Sequence, residues 1–307
     1  MIDFFNNNSK KIKLCFSLIL IIYLYNKVNL QNFIFYLSEI DIFFLFFSSL
    51  MLIPDTLFLY IKQKKILSNF NKQVFPIKVL HILNLSRLYS MPLPSALGTQ
   101  LISFIQLSKY VSNKWLYFFL SLFERINFVL VIILISLLTI LIYKDQINIF
   151  PNFLNQYYFL LYFLFLIIFT LLLLPHKIIN ILYAFKIKKK KLNDLNIIIK
   201  KINFNFTTIS FLWYLFYFLR IYLLLLSTDI HLNYSTILLI ISTNLLIQCI
   251  PISAGGLGLR ELTFSYFFSI LNYPFEKGII VGNILFLQLL IFSFFIFIIT
   301  SFFYKKK

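Results

Sequence analysis

The sequence predicts an all-α polytopic membrane protein. Three observations carry that expectation: the share of apolar residues, the length of the apolar runs, and where lysine falls between them. Of 307 residues, 61% are apolar and 12% are charged; ordinary globular domains run about 45–50% and about 25%. Apolar runs of roughly 17–25 residues, the length a helix needs to cross the hydrocarbon, recur along the whole chain. One such run fits a core helix, but six do not. A soluble enzyme is excluded as a class.

The six runs fall at 14–30, 40–61, 127–143, 157–175, 203–226 and 279–303. Lys10, Lys11 and Lys13 precede the first run, as in a signal peptide, but no small-residue cleavage site follows it, so it is expected to be a retained span. Lys62, Lys64 and Lys65 follow the second run, eight lysines lie in 176–201, including the block Lys188–Lys191, and Lys305–Lys307 come last. Loops 26–39 and 144–156 hold only Lys27 and Lys144, and loop 227–234 holds no lysine. Because cytoplasmic loops carry the excess of Lys and Arg, both termini and the basic loops are expected in the cytoplasm of a multi-pass protein of the cell (inner) membrane. The net charge of +18 is then explained by topology and by attraction to anionic lipid headgroups rather than by nucleic acid.

Two further apolar stretches, 77–108 and 235–271, must each return to the face they start from if the spans between them are to alternate. Each is broken near its middle, by Pro92, Pro94 and Gly98 in the first and by Pro251, Gly255, Gly256 and Gly258 in the second. Both are expected to be re-entrant helical hairpins entering from opposite faces. In order, 14–143 then reads span, span, hairpin, span, and 157–303 repeats that series in reverse orientation. The expected architecture is a single transmembrane domain over 1–307, built as an inverted repeat. Paired interrupted segments of this kind point to a transporter's binding site.

The second break carries the most chemistry. Pro251-Ile-Ser-Ala-Gly-Gly-Leu-Gly-Leu-Arg-Glu261 holds three of the chain's six glycines within four residues, next to an Arg–Glu pair. Non-helical backbone at membrane depth is tolerated where it is buried in protein or lines a wet cavity. Glycine lets backbone N–H groups meet a ligand closely, and the helix restarting near Leu257 would aim its positive end at an anion. Arg260 lies at the unfavourable end of that dipole and does not face Glu261. It needs another anionic partner: Asp55, Glu124 or a lipid phosphate. Pairing with a carboxylate would make it a structural staple, and pairing with phosphate a binding residue.

Pro-x-Ser-x-Gly-Gly-x-Gly-x-Arg-Glu, here Pro251, Ser253, Gly255, Gly256, Gly258, Arg260 and Glu261, resembles the signature of the lysylphosphatidylglycerol synthase transmembrane family, the flippase-like module of bacterial lipid-aminoacylating proteins. The first hairpin matches less well. Leu93-Pro94 and Gly98 are kept, Thr99 and Gln100 stand where the family has Gly-Asp, and no arginine follows near Ser103. Glu124-Arg125 stands in for the family's Asp-Arg. The resemblance implies a lipid-phosphate site at Ser253, Gly255, Gly256, Gly258, Arg260 and Glu261, with Asp55, Pro94, Gly98, Glu124, Arg125 and Arg220 as cavity-lining candidates. Asp55 and Arg220 could equally snorkel to the interface.

The function expected is movement of an anionic lipid or lipid-linked glycan between leaflets. The alternative is the membrane part of a lipid-modifying system whose aminoacyl- or glycosyl-transferring step belongs to a separate catalytic protein. The residues up to Lys307 show no P-loop, no soluble catalytic domain and no nucleophile–base set. His81, His176 and His231 lack ligand spacing, so no metal and no cofactor are expected. Cys15 and Cys249 sit in apolar runs and read as packing residues.

Overall fold

The computed structural model describes residues 15, 17–70, 74–90, 97–142, 162–170, 172, 189–249, 253 and 255–304. Among them, every regular element is helical. The sequence expectation for the first span, 14–30, is revised. Helix α1 (Ser17–Asn26) stops early, and α2 (Leu30–Ser38) leaves it at 92°. The amides of Lys27 and Val28 close the last turn of α1, and the Asn29 side chain accepts from the Gln31 N–H to start a new helix. Most of the expected loop 26–39 is therefore helix.

Helices α3 (Ile42–Leu50) and α4 (Leu52–Leu67) continue one another as an apolar helix over Ile42–Leu67. Asp41 caps its start by accepting from the Phe43 N–H at 2.8 Å. Lys114–Ile142 (α7), the apolar part Asn203–Ser227 of α9 (Lys189–Ser227) and Phe275–Phe303 of α12 (Phe275–Tyr304) are also long and apolar enough to cross a membrane. That makes four spans, or five if the bent α1–α2 pair counts as one. The expected span 157–175 is described only at 162–170 (α8) and at residue 172. Helix α9 begins inside the basic segment 176–201, so Lys189–Lys191 belong to a helix and not to a loop.

Each interrupted stretch is two helices packed on each other: α5 (Pro76–Ser90) with α6 (Leu97–Leu107), and α10 (Tyr234–Cys249) with α11 (Leu259–Ile270). Neither is a straight spanning helix. Pro92, Pro94 and Pro251, like Lys10–Lys13, loop 144–156 and Lys305–Lys307, lie outside the described residues. Helix α9 touches α3, α4, α7 and α10 and so ties the two halves together.

Helix α11 packs tightly on α12. A Cβ at Gly278 would lie 2.4 Å from the Ser265 backbone, and one at Gly282 would lie 2.8 Å from Glu261 Cα. Gly278-x-x-x-Gly282 is the small-residue spacing that lets helices approach closely in lipid, where no hydrophobic force drives them together. Outward-facing side chains fit the same solvent: Ile42, Phe204 and Phe302 are 77%, 76% and 71% exposed. In water, a surface with so many exposed apolar groups would aggregate. Polar ties hold the interior instead. The Asn127 amide donates to Asn203 and Thr207, and the Asn203 amide donates to the Leu172 carbonyl at 2.8 Å.

Candidate functional site

One cavity of about 230 Å³ opens between α4, α5, α6, α7, α9, α10, α11 and α12. Both interrupted stretches reach it: Arg87, Thr99 and Gln100 from the first, and Gln248, Cys249 and Arg260 from the second. Asp55 and Lys62 come from α4, Glu124 and Arg125 from α7, and Trp213, Tyr217 and Arg220 from α9. Five cations thus face two carboxylates: Lys62, Arg125, Arg220, Asp55 and Glu124 stand on helices long and apolar enough to span a bilayer, and Arg87 and Arg260 on the two interrupted stretches. Ionisable side chains inside spanning segments are costly and are kept where they pair or meet a ligand.

Both carboxylates are already paired. Glu124 accepts from Lys62 Nζ at 2.9 Å, with 8% and 5% of the two side chains exposed. Asp55 accepts from Arg87 Nη2 at 2.5 Å and from the Trp213 indole N–H. The remaining cations, Arg125, Arg220 and Arg260, have no carboxylate within 4.0 Å among the described residues. Their hydrogen-bond partners are neutral. Arg220 donates to Gln288 Oε1 and to the Leu285 carbonyl, at 3.1 Å and 3.0 Å from Nη2. Arg260 Nη2 meets Gln248 Oε1 at 3.3 Å, and its guanidinium lies 5.7 Å from the Phe286 ring centre. Arg125 Nη2 lies 3.4 Å from Cys249 Sγ. Gln288 is itself fixed by Ser48 and Ser49 of α3, which also ties the Arg220 backbone through the Ser48 hydroxyl.

The motif around the second break divides into parts with different roles. Gly255, Gly256 and Gly258 all have positive φ, of 60°, 80° and 82°, which L side chains rarely adopt. Gly258 precedes α11, and its N–H donates to Glu261 Oε2 at 2.7 Å, so Glu261 reaches back to cap the helix and does not line the cavity. A Cβ at Gly258 would press on Leu20 of α1 at 2.9 Å. Gly256 lies behind the arginine: a Cβ there would sit 3.4 Å from Gln248 and 3.5 Å from Arg260 Nη2. Ser253 is fully buried, and its hydroxyl has no partner among the described residues. Of the six motif residues singled out in the sequence, Arg260 alone lines the cavity.

Of the second set, Asp55, Glu124, Arg125 and Arg220 all line it. Gly98 is buried in the first turn of α6, and Pro94 lies outside the described residues. The next two residues, Thr99 and Gln100, are cavity wall, and the Thr99 hydroxyl bonds that of Ser90 across the break at 2.7 Å. These are two of the positions where the first hairpin departs from the family pattern, the missing arginine near Ser103 being another.

A family profile for the lysylphosphatidylglycerol synthase TM region matches residues 11–300. The chain belongs to the lysylphosphatidylglycerol synthase transmembrane family. No curated protein and no solved structure gives a significant match. Within that family assignment, sequence reading missed Arg87, Trp213, Gln248 and Gln288. Arg87 supplies the first stretch with a cavity arginine, but from the arm before the break rather than after it. The signal was an arginine in an otherwise uncharged turn near the end of an apolar helix. Cys249, read as a packing residue, is half-buried in the cavity wall. No cluster of three metal-ligating side chains occurs among the described residues.

Proposed function

We propose that this protein is a flippase-like transporter whose cavity receives the phosphate of an anionic lipid headgroup. One observation carries the reading: Arg125, Arg220 and Arg260 converge on a single cavity with no carboxylate partner among the described residues, while Asp55 and Glu124 are committed to Arg87 and Lys62. A guanidinium presents a rigid fork of donors matched to phosphate oxygens. Leaving three of them uncompensated around one cavity is costly unless an anion completes the site.

The helix-break-helix stretches would supply the moving parts. The inverted repeat, 14–143 against 157–303, would rock about the cavity and open it first to one leaflet and then to the other. Close packing of α11 on α12 at Gly278 and Gly282 supports a second half that carries Arg260 as a rigid body. Both termini and the basic segment 176–201 would face the cytoplasm of the cell membrane.

Reconstitution tests this. Proteoliposomes carrying a trace of fluorescent phosphatidylglycerol, quenched by a reductant added outside, should lose more than half the signal when the protein is present. Protein-free vesicles should lose about half. Arg260→Ala, incorporated to the same level, should return the trace to the protein-free result. Equal quenching with and without protein would overturn the transport reading.

A further inference from the structure

Resting on that reading, the charge balance of the cavity narrows the substrate class. Seven of the chain's ten carboxylates can be placed. Asp55 and Glu124 are paired in the cavity, Glu261 caps α11, and Asp41 caps α3. Glu276 accepts from the Asn29 N–H, Asp229 lies beside His231, and Glu39 is exposed at the end of α2. The segments at the two breaks, 91–96 and 250–254, contain no acidic residue. The cavity's five cations and two carboxylates therefore leave an excess of three positive charges.

Neutral side chains preserve that excess. Each of the two deepest open arginines is held by a glutamine where a glutamate would fit: Arg220 by Gln288 and Arg260 by Gln248. Glutamine and glutamate have the same shape and both offer Oε1 as an acceptor, but glutamate would cancel the guanidinium charge. Positioning is thus achieved without neutralisation. The spare hydrogen-bonding groups point the same way: Arg87 Nη1 and Gln248 Nε2 are buried donors without acceptors among the described residues. A site with surplus donors and surplus positive charge is complementary to an acceptor-rich, multiply charged group.

We propose that the cavity selects a lipid whose headgroup carries two or more negative charges, a phosphomonoester or a diphosphate, over a singly charged phosphodiester. Gln248 and Gln288 set that preference by positioning Arg260 and Arg220 without neutralising them. A phosphodiester leaves about two of the three excess charges uncompensated. A terminal phosphate above its second ionisation, near pH 6, leaves about one and offers three strong acceptor oxygens. Each unit of charge acts at close range in a medium less screening than water, though an open cavity weakens that effect.

The chain supplies its own reporter. Cys249 lies in the cavity wall, and Cys15 is the chain's other cysteine, so Cys15→Ser leaves a single thiol at the site. Protection of Cys249 from a small charged thiol reagent is titrated in detergent at pH 8. The competitors are dioctanoyl phosphatidic acid, dioctanoyl phosphatidylglycerol and inorganic pyrophosphate. Phosphatidic acid should protect at a concentration at least tenfold below phosphatidylglycerol. Gln248→Glu and Gln288→Glu should each bring that ratio close to one, with melting temperatures held near the parent's because the hydrogen bonds to arginine are retained. Equal protection by the two lipids in the parent protein would overturn the charge-selection proposal while leaving the transport reading in place. Protection by neither lipid would overturn both. Pyrophosphate protecting as well as phosphatidic acid would assign the site to a soluble anion and overturn the lipid assignment.

Discussion

The two interrupted stretches deliver an arginine to the same cavity by different means. In α5–α6, Arg87 comes from the arm before the break and is clamped to Asp55, with Trp213 on the other carboxylate oxygen. In α10–α11, Arg260 comes from the arm after the break, follows three glycines of positive φ, and is held by a neutral glutamine. One arginine is paired with a carboxylate of the protein, and the other has no carboxylate partner among the described residues. Depth in the membrane or membership of a motif does not by itself separate a structural charge from a binding charge. The charge of the neighbour does.

Substitutions at the two stretches should therefore fail differently. The largest loss of stability is expected at the first. Asp55→Ala strands a buried guanidinium and the Trp213 N–H, at a cost of about 3–5 kcal/mol. Its thermal melt in detergent should fall well below that of every variant at the second stretch. A melt near the parent's would show that Arg87 finds another partner and that the contrast is false.

Next comes the packing that fixes the second stretch. Gly278→Ala places a methyl 2.4 Å from the Ser265 backbone, closer than any side chain can be accommodated without moving α11 off α12. Overpacking of this kind costs about 1–3 kcal/mol, to be read as an earlier melt. Lipid binding should fall with it, because α11 carries Arg260. Gly256→Ala should be milder for the fold. Its φ of 80° is strained for alanine, at about 1–2 kcal/mol, but the added methyl meets Gln248 and Arg260 only at ordinary contact distance, 3.4 Å and 3.5 Å. Binding should weaken more than the melt does, since relief of the strained φ shifts the backbone that sets the Arg260–Gln248 pair. An unchanged lipid titration would remove Gly256 from the site.

These contrasts also mark what could be read in the sequence. The interrupted stretches were legible because proline and glycine within apolar runs cannot continue a helix unchanged, and the Arg260 motif was legible because charge beside glycine is rare in such a chain. Asp55, Glu124, Arg125 and Arg220 could be named as candidates from type and depth alone. Their pairing could not, because Asp55–Arg87 and Lys62–Glu124 join residues 32 and 62 positions apart across helices. Gln248 and Gln288 carry no charge and gave no signal until Arg260 and Arg220 were seen against them. Glu261 could have been assigned to the helix start from its position three residues after Gly258, the spacing of a reach-back cap. The 92° turn after Asn26 was hidden because α1 and α2 are both apolar, and Asn29 marks the break only through its capping bond. Gly278 and Gly282 were visible as a small-residue spacing and went unread beside the richer glycine cluster upstream.

The central claim, that Arg260 is held open for an anionic headgroup rather than used to staple helices, is tested most directly by lipid binding to Arg260→Ala, expressed per folded molecule. Removing the guanidinium leaves only the neutral Gln248 acceptor without its bond, worth about 1 kcal/mol, so the variant should melt within a few degrees of the parent. The account predicts that this folded protein no longer binds anionic lipid. Arg260→Ala that melts early and, once folded, binds lipid with the parent's affinity would contradict it.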